Sequence, residues 1–344
     1  VTKELFNKFS EYYDADVFIE AGRIIRNRAK SYDELDYVER AEKIAELFAT
    51  FKNPDKETVL TPWRVVNLQL SKTIGGLSYY DDEYKYMTND GLVARHWVDI
   101  PSAKEVFSIT SKILDVETKT GLYSLYVAAS LYYQRCARWK CDASGKFNQN
   151  ILRWESSKHL DEELVLEDIL QNNIYFLANT PMAKTIARRT LVGYKNLQAN
   201  ILYVENLSSK LKNSIAVTSR EIAEGFSQMK FDVVIGNPPY QEEARGTSTK
   251  DTPIYHLFMD AAYELADKVS LITPARFLFH AGSTPNLWNE KMLNDDHLQV
   301  RYYTQNSAEI FPNTDIKGGL AVTYRDTSKH FGAIGTFTHY EELN

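Results

Sequence analysis

The chain has 344 residues, of which 44% are hydrophobic and 25% are charged, and this is the composition of an ordinary globular protein. No run of about eighteen apolar residues occurs, which argues against a membrane-spanning helix. Two cysteines without a nearby Cys/His pair predict neither a disulfide framework nor a metal site, and a reducing cytoplasm fits them best. The formal net charge of -6 excludes a uniformly basic nucleic-acid-binding surface and leaves only a local basic face for such contacts.

The first part of the chain is predicted to be helical. Apolar residues recur at the three- and four-residue spacing of an amphipathic helix in two stretches, and Asn53-Pro54 then interrupts the pattern. We predict a helical region over residues 1–57 that packs as a bundle on a main domain over residues 58–344. The residues expected to face that packing are Val17, Phe18, Ala21, Ile24, Ile25, Ala41, Ile44, Ala45 and Phe48.

Beyond this region, short apolar runs rich in β-formers alternate with helical patterns. This alternation predicts an α/β fold with a mostly parallel seven-stranded sheet and helices on both faces, in which ligands bind outside the carboxyl ends of the strands. The predicted strands are 112–115, 174–178, 201–206, 231–237, 269–273, 299–304 and 320–325, and the clearest helices are 122–136, 182–192 and 255–265. The polar stretch 241–252 is predicted to be a mobile loop over the site.

The most informative segment is FDVVIGNPPY, residues 231–240. Its apolar run predicts a buried strand, Gly236 allows a tight exit from the sheet, and two prolines fix the following turn. Asn237 then offers a side-chain carbonyl, Pro238 offers a backbone carbonyl that no helix uses, and Tyr240 offers a flat ring. Two such acceptors can hold the N–H groups of a planar amino group, and the ring can stack on a base.

The tetrapeptide Asn-Pro-Pro-Tyr resembles motif IV of the amino-methyltransferases, in which it serves N6 of adenine. Four further segments resemble motifs of the restriction–modification adenine methylases, and motif X precedes motif I as it does in those enzymes. They are 61–66 (motif X), 113–121 (motif I), 252–258 (motif V) and 310–319 (motif VIII), so that the resemblance spans most of residues 59–326. It implies a bacterial methyltransferase of the Rossmann-like class I fold that uses S-adenosylmethionine and modifies a DNA adenine flipped out of the duplex.

The resemblance also implies roles for individual residues. The catalytic residues would be Asn237, Pro238, Pro239 and Tyr240, and Phe311 would stack on the flipped base opposite Tyr240. The cofactor would be bound by Thr61, Pro62, Asp115, Thr118, Gly121, Asn179, Glu205 and Asn206.

Two segments depart from the family pattern. Motif I usually reads D-P-x-C/F-G-x-G, whereas here Val116 replaces the proline and Lys119 the first glycine, so that only Gly121 is left. A positive φ at Lys119 would strain its backbone. The acidic residue that usually ends the second strand and holds the ribose hydroxyls is also missing, and Asn179 is expected to bind the ribose less strongly.

Two other functions stay open at this point. Asn-Pro-Pro-Tyr also occurs in enzymes that methylate protein glutamine or ribosomal RNA bases, and a chain whose cofactor loop has decayed at Lys119 and Ala178 could be a non-catalytic binding module. The N-terminal helices, motif X and residues 311–319 favour DNA. A target-recognition domain usually follows motif VIII, and only about eighteen residues follow Asp326. We therefore expect this domain, or a companion restriction component, to be a partner outside this chain. The sequence does not indicate an oligomeric state.

Overall fold

A computed structural model of the protein describes residues 14–51, 60–89, 92–140, 162–242, 251–312 and 314–338. At its centre lies a seven-stranded sheet, whose strands are β1 (Ile113–Asp115), β2 (Ile174–Ala178), β3 (Asn200–Tyr203), β4 (Phe231–Gly236), β5 (Ala266–Pro274), β6 (Leu298–Thr304) and β7 (Leu320–Asp326). The strand order is β6-β7-β5-β4-β1-β2-β3, and within this sheet only β7 runs in the direction opposite to the other strands. The predicted mostly parallel, Rossmann-like sheet is confirmed.

The two faces of the sheet bury different residues of the same strands, because successive side chains of a strand point in opposite directions. Ile113 and Val233 belong to the hydrophobic core on one face, whereas Leu114 and Val234 belong to the core on the other face. The central strands are therefore apolar on both sides, as a parallel sheet covered by helices requires.

Helices cover both faces. Residues of α2 to α7 contribute to the first core, and residues of α8 to α11 contribute to the second. The helices are α1 (Ala15–Ser31), α2 (Tyr37–Ala49), α3 (Trp63–Thr73), α4 (Ala103–Val106), α5 (Leu122–Lys140), α6 (Glu162–Asn172), α7 (Pro181–Val192), α8 (Leu207–Asn213), α9 (Ile215–Gly225), α10 (Tyr255–Leu265) and α11 (Asn286–Leu293). Among the described residues, no helix combines the length and the apolar content needed to cross a membrane.

The two N-terminal helices differ in how they pack. Helix α2 buries Tyr37, Ala41 and Ile44 in the first core, as its apolar spacing predicted. Helix α1 forms where it was predicted, but it has no buried residue, and Val17 is 65% exposed. The expected packing of its apolar stripe is therefore not observed. Helical periodicity fixes which residues share a face, and it does not require that another element cover that face.

The predicted elements are confirmed, with shifts at their ends. The strand predicted to begin at residue 269 begins at Ala266, and the strand predicted to end at residue 206 ends at Tyr203. The stretch 241–252, predicted to be a loop, starts and finishes as a short antiparallel pair between Gln241–Glu242 and Thr252–Pro253, and residues 243–250 lie outside the described part. Two further strand pairs precede β1, namely Gly76–Ser78 with His96–Val98 and Thr88–Asn89 with Leu92–Val93.

Candidate active site

Three polar residues of the predicted site lie at the carboxyl ends of neighbouring strands. Asp115 ends β1, Asn179 follows β2 and Asn237 follows β4, and β1 pairs with both β2 and β4. Strand order reverses between β1 and β4, and such a switch point is where doubly wound sheets leave a crevice for ligands. The topology therefore brings the motif I and motif IV segments to one edge of the sheet.

The turn after β4 places Asn237 against β1. Gly236 has a φ of 151°, and a Cβ atom on it would lie 3.1 Å from Cγ1 of Val116, so that glycine suits this exit from the sheet. Asn237 is 4% exposed, and its Nδ2 donates to Oγ1 of Thr61 at 2.9 Å. Its Oδ1 is buried and has no hydrogen-bond partner. A buried amide oxygen without a partner is unusual in a native fold and indicates a place for a donor from outside the protein.

The rest of motif IV forms one wall of the crevice that we propose at this switch point. Pro238 is buried, Pro239 and Tyr240 are half-buried, and no hydrogen bond to the Pro238 carbonyl is found within the described ranges. The Tyr240 carbonyl accepts from the backbone N–H of Ile254 at 3.1 Å, which ties the turn to the start of α10. The Tyr240 ring packs against a hydrophobic cluster that contains Phe311, whose exposed fraction is only 1%. Both predicted stacking residues thus belong to one hydrophobic region, with Phe311 buried inside the cluster and Tyr240 packed against it.

The motif I segment forms the opposite wall. Asp115 is 2% exposed, its Oδ2 accepts from the Ser124 hydroxyl at 3.0 Å, and its Oδ1 has no partner. Burial raises the pKa of Asp115 to about 6. Thr118 is held by its backbone N–H, which donates to the Leu177 carbonyl at 2.9 Å. This wall is therefore rich in acceptors that the protein itself leaves free.

Gly121, the glycine that the altered motif I retains, lies where the backbone conformation requires a glycine. Gly121 has a φ of 80°, and a Cβ atom there would lie 2.9 Å from Cα of Ala187 in α7. Lys119, by contrast, is not among the described residues with a positive φ, so that the expected strain at this position is absent.

The remaining predicted cofactor residues lie around this crevice or at its rim. Pro62 begins α3, and its carbonyl accepts from the N–H groups of Val65 and Val66. Glu205 and Asn206 follow β3 and are exposed, and Asn206 adopts the left-handed conformation from which α8 begins. Asn179 is half-buried beside the motif I segment.

Comparisons with known proteins agree with this architecture. Residues 172–311 match the family described as Eco57I restriction-modification methylase, a segment that contains motif IV and Phe311 but not motif I. A protein of Mycoplasma pneumoniae described as an uncharacterized adenine-specific methylase is 34% identical over 100 residues, which are 28% of this chain and 23% of that protein. The resemblance to restriction–modification adenine methylases is confirmed.

Solved structures of restriction-modification proteins align with most of the chain. A nuclease-deletion mutant of the Type ISP restriction-modification enzyme LlaGI, in complex with a DNA substrate mimic, aligns with a TM-score of 0.50 at 11% identity over 86% of this chain and 25% of that chain. A modification subunit of a putative type I restriction enzyme from Vibrio vulnificus YJ016 aligns with a TM-score of 0.48 at 12% identity, over 86% of this chain and 51% of that chain. The chain thus spans between a quarter and a half of the length of these proteins.

The sequence analysis missed a second role for Thr61. Motif X suggested a cofactor contact, whereas in the structure the Thr61 hydroxyl oxygen is the acceptor for Asn237. The residue before Asn237 is held separately, because the Tyr123 hydroxyl donates to Oε1 of Gln69 at 2.5 Å and Nε2 of Gln69 donates to the Gly236 carbonyl at 3.2 Å. Thr61 thus orients the Asn237 amide, and Gln69 holds the turn in front of it. Nothing in the spacing of these residues could have indicated it.

Glu117 is the other residue that sequence reasoning missed. It is 3% exposed, its Oε1 accepts from Nδ2 of Asn179, and its Oε2 has no partner. Burial raises the pKa of Glu117 to about 8, an effect that Lys119 opposes and Asp115 reinforces. Its position inside the altered motif I was the available signal, because a glutamate where the family has a variable residue could have been considered as a ligand.

Proposed function

We propose that this chain is the catalytic part of an S-adenosylmethionine-dependent methyltransferase that modifies N6 of adenine in DNA, within a restriction–modification system. The proposal depends above all on the buried, unpartnered Oδ1 of Asn237 at the carboxyl end of β4. Together with the carbonyl of the next residue, Pro238, it would offer two acceptors to a planar amino group, which has two N–H donors to satisfy.

The chemistry of adenine explains why this arrangement would help. The exocyclic amino group is a poor nucleophile, because its lone pair is delocalised into the ring. Acceptance of both N–H groups by Asn237 and Pro238 would hold the nitrogen towards tetrahedral geometry and return the lone pair to it. Held in this way, the nitrogen would be positioned to attack the methyl carbon of a donor bound at the motif I segment, with the donor sulfur as the leaving group, and its extra proton would pass to solvent after the transfer. A general base with a shifted pKa is therefore not needed before the transfer.

The motif I wall fits the cofactor. S-adenosylmethionine would supply an electrophilic methyl group there, and its ammonium and ribose hydroxyls are hydrogen-bond donors. Free, buried acceptors at Asp115 and Glu117 require such donors, because a buried carboxylate oxygen without a partner is costly. We assign cofactor binding to the residues predicted from sequence, with Glu117 added: Thr61, Pro62, Asp115, Thr118, Gly121, Asn179, Glu205 and Asn206.

Base capture would use the contact between Tyr240 and the cluster of Phe311. A flipped adenine would enter between the two rings, and stacking of one base contributes roughly 1–3 kcal/mol, which is comparable to the cost of extrusion from the duplex. Because Phe311 is 1% exposed, its segment would have to move before the ring could contact a base. DNA, a target-recognition domain and a companion restriction component remain the proposed partners, since the chain spans only part of its relatives.

The test is the identity of the polymer that takes up the methyl group. The full-length protein would be incubated with tritium-labelled S-adenosylmethionine in three separate reactions, which contain duplex DNA, ribosomal RNA or a total protein fraction. We expect label in DNA that is recovered as N6-methyladenine after digestion. Label in RNA or in protein glutamine would overturn the choice of substrate, and absence of both uptake and cofactor binding would identify a non-catalytic module.

A further inference from the structure

The pair formed by Glu117 and Asn179 has no role in the chemistry of the amino group. We propose that Glu117, together with Asn179, binds the two ribose hydroxyls of the methyl donor and so replaces the carboxylate that is absent from the end of β2. This inference rests on the proposed function. It concerns only how the cofactor is held.

The free atoms of the pair match a vicinal diol. Asn179 uses its Nδ2 to donate to Oε1 of Glu117, which leaves its own Oδ1 and Oε2 of Glu117 as acceptors. The two residues follow β1 and β2, which are adjacent and parallel, so that both lie at the same carboxyl edge of the sheet. Two neighbouring hydroxyls present two O–H donors, and this is the complement of two adjacent acceptors.

A structural carboxylate in the same chain looks different. Asp326 is fully buried, and both of its oxygens are satisfied: Oδ1 accepts from the Ser328 hydroxyl at 2.6 Å, and Oδ2 accepts from the Tyr324 hydroxyl at 3.1 Å. Glu117 is buried almost as deeply, yet only one of its oxygens has a partner. A purely structural glutamate would be expected to use both oxygens, as Asp326 does.

Burial and the neighbouring charges favour binding of a hydrogen-bond donor by the Glu117 carboxylate. Burial raises its pKa, Lys119 lowers it and Asp115 raises it, so that the charge of Glu117 is poorly compensated in the protein alone. Hydroxyl donors from a ligand would stabilise the ionised form.

The first experiment measures cofactor affinity without turnover. Isothermal calorimetry would compare S-adenosylhomocysteine with its 2′-deoxyribose analogue on the full chain and on Glu117→Gln, with exposed Glu264→Gln in α10 as the matched control. We expect Glu117→Gln to bind S-adenosylhomocysteine about tenfold to a hundredfold more weakly, the effect of losing one charged hydrogen bond. Removal of the 2′-hydroxyl should weaken binding by the parent and by Glu264→Gln to the same extent, and binding by Glu117→Gln much less.

The second experiment exchanges the carboxylate and the amide between positions 117 and 179. The double variant Glu117→Gln with Asn179→Asp keeps one amide and one carboxylate in contact, and we expect it to recover most of the lost affinity. Recovery would not follow if Glu117 only supported the fold. Equal affinities of parent and Glu117→Gln, or an equal effect of the 2′-hydroxyl in both, would overturn the inference while the proposed function stands. Failure of the parent itself to bind S-adenosylhomocysteine would count against the proposed function.

Discussion

The two walls of the crevice differ in how closely their sequences follow the methylase motifs that they resemble. The turn after β4 has the family sequence Asn-Pro-Pro-Tyr, and its key side chain is oriented from outside, by Thr61 at the start of α3. The segment after β1 departs from the family sequence at Val116 and Lys119, yet it places a buried acid beside the end of β2 and makes its one positive-φ turn at Gly121.

This difference shows what each wall requires. The motif IV wall needs specific atoms, because it must present two acceptors to one nitrogen. The motif I wall needs a backbone path and a supply of acceptors, and several sequences can provide both. Substitutions at Asn237 should therefore act on chemistry, whereas substitutions at Gly121 and Glu117 should act on stability and on binding.

The largest effect is expected from Asn237→Ala. Because its Oδ1 would act chiefly while the nitrogen changes geometry, the single-turnover rate should fall by about a hundredfold to a thousandfold, as for loss of one preorganised transition-state contact. Cofactor affinity measured by calorimetry should stay nearly unchanged. Asn172→Ala, an exposed asparagine at the end of α6, is the control. Comparable turnover in Asn237→Ala and the parent would remove Asn237 from the mechanism.

Gly121→Ala should produce the largest loss of stability. The new Cβ would sit at a φ of 80° and lie 2.9 Å from Cα of Ala187, so that either the loop or α7 must move. We expect the free energy of unfolding to fall by about 2–3 kcal/mol in urea titrations. Gly22→Ala is the matched control, because a Cβ there meets nothing within 4 Å and the residue lies within α1. A small effect at Gly121 would mean that the backbone path of motif I is not constrained.

The sequence predicted the backbone of this protein better than its side-chain network. Alternating apolar runs identified all strands of the main sheet, because burial on both faces leaves little freedom in residue type. Motif spacing then placed Asp115 and Asn237 at one sheet edge. The hydrogen bond of Thr61 with Asn237 connects distant parts of the chain, as does that of Tyr123 with Gln69, and both follow from packing that no local pattern encodes. The exposure of α1 was missed for a similar reason, since periodicity does not identify a partner surface.

Glu117→Gln should change how stability depends on pH. The pKa of Glu117 is about 8 in the folded protein and near 4.5 in a model peptide, so between these values the unfolded chain has lost a proton that the folded chain retains. The free energy of unfolding of the parent therefore falls as pH rises through this window, by at most about 5 kcal/mol.

Glutamine does not titrate, so that the cofactor-free variant should gain about 1–2 kcal/mol over the parent at pH 8, after allowance for its buried amide. The difference should shrink towards pH 5. Paired urea titrations at both pH values would measure it, with Glu264→Gln as the control. A difference that does not depend on pH would show that Glu117 titrates normally, and the stabilised variant should still bind cofactor more weakly.

The smallest effect is expected from Tyr123→Phe, which keeps the ring of a buried residue and removes only its hydroxyl. That hydroxyl donates to Gln69, whose Nε2 holds the Gly236 carbonyl directly before Asn237. Without it the Gln69 amide is free to turn, and the backbone turn that positions Asn237 would be held less firmly. We expect the methyl-transfer rate to fall by about threefold to tenfold, which corresponds to roughly 1 kcal/mol of lost orientation, while cofactor affinity remains unchanged. The double variant with Gln69→Leu should then lose little more than Gln69→Leu alone, since both changes break one chain of contacts. Independent, additive losses would show that Tyr123 does not act through Gln69.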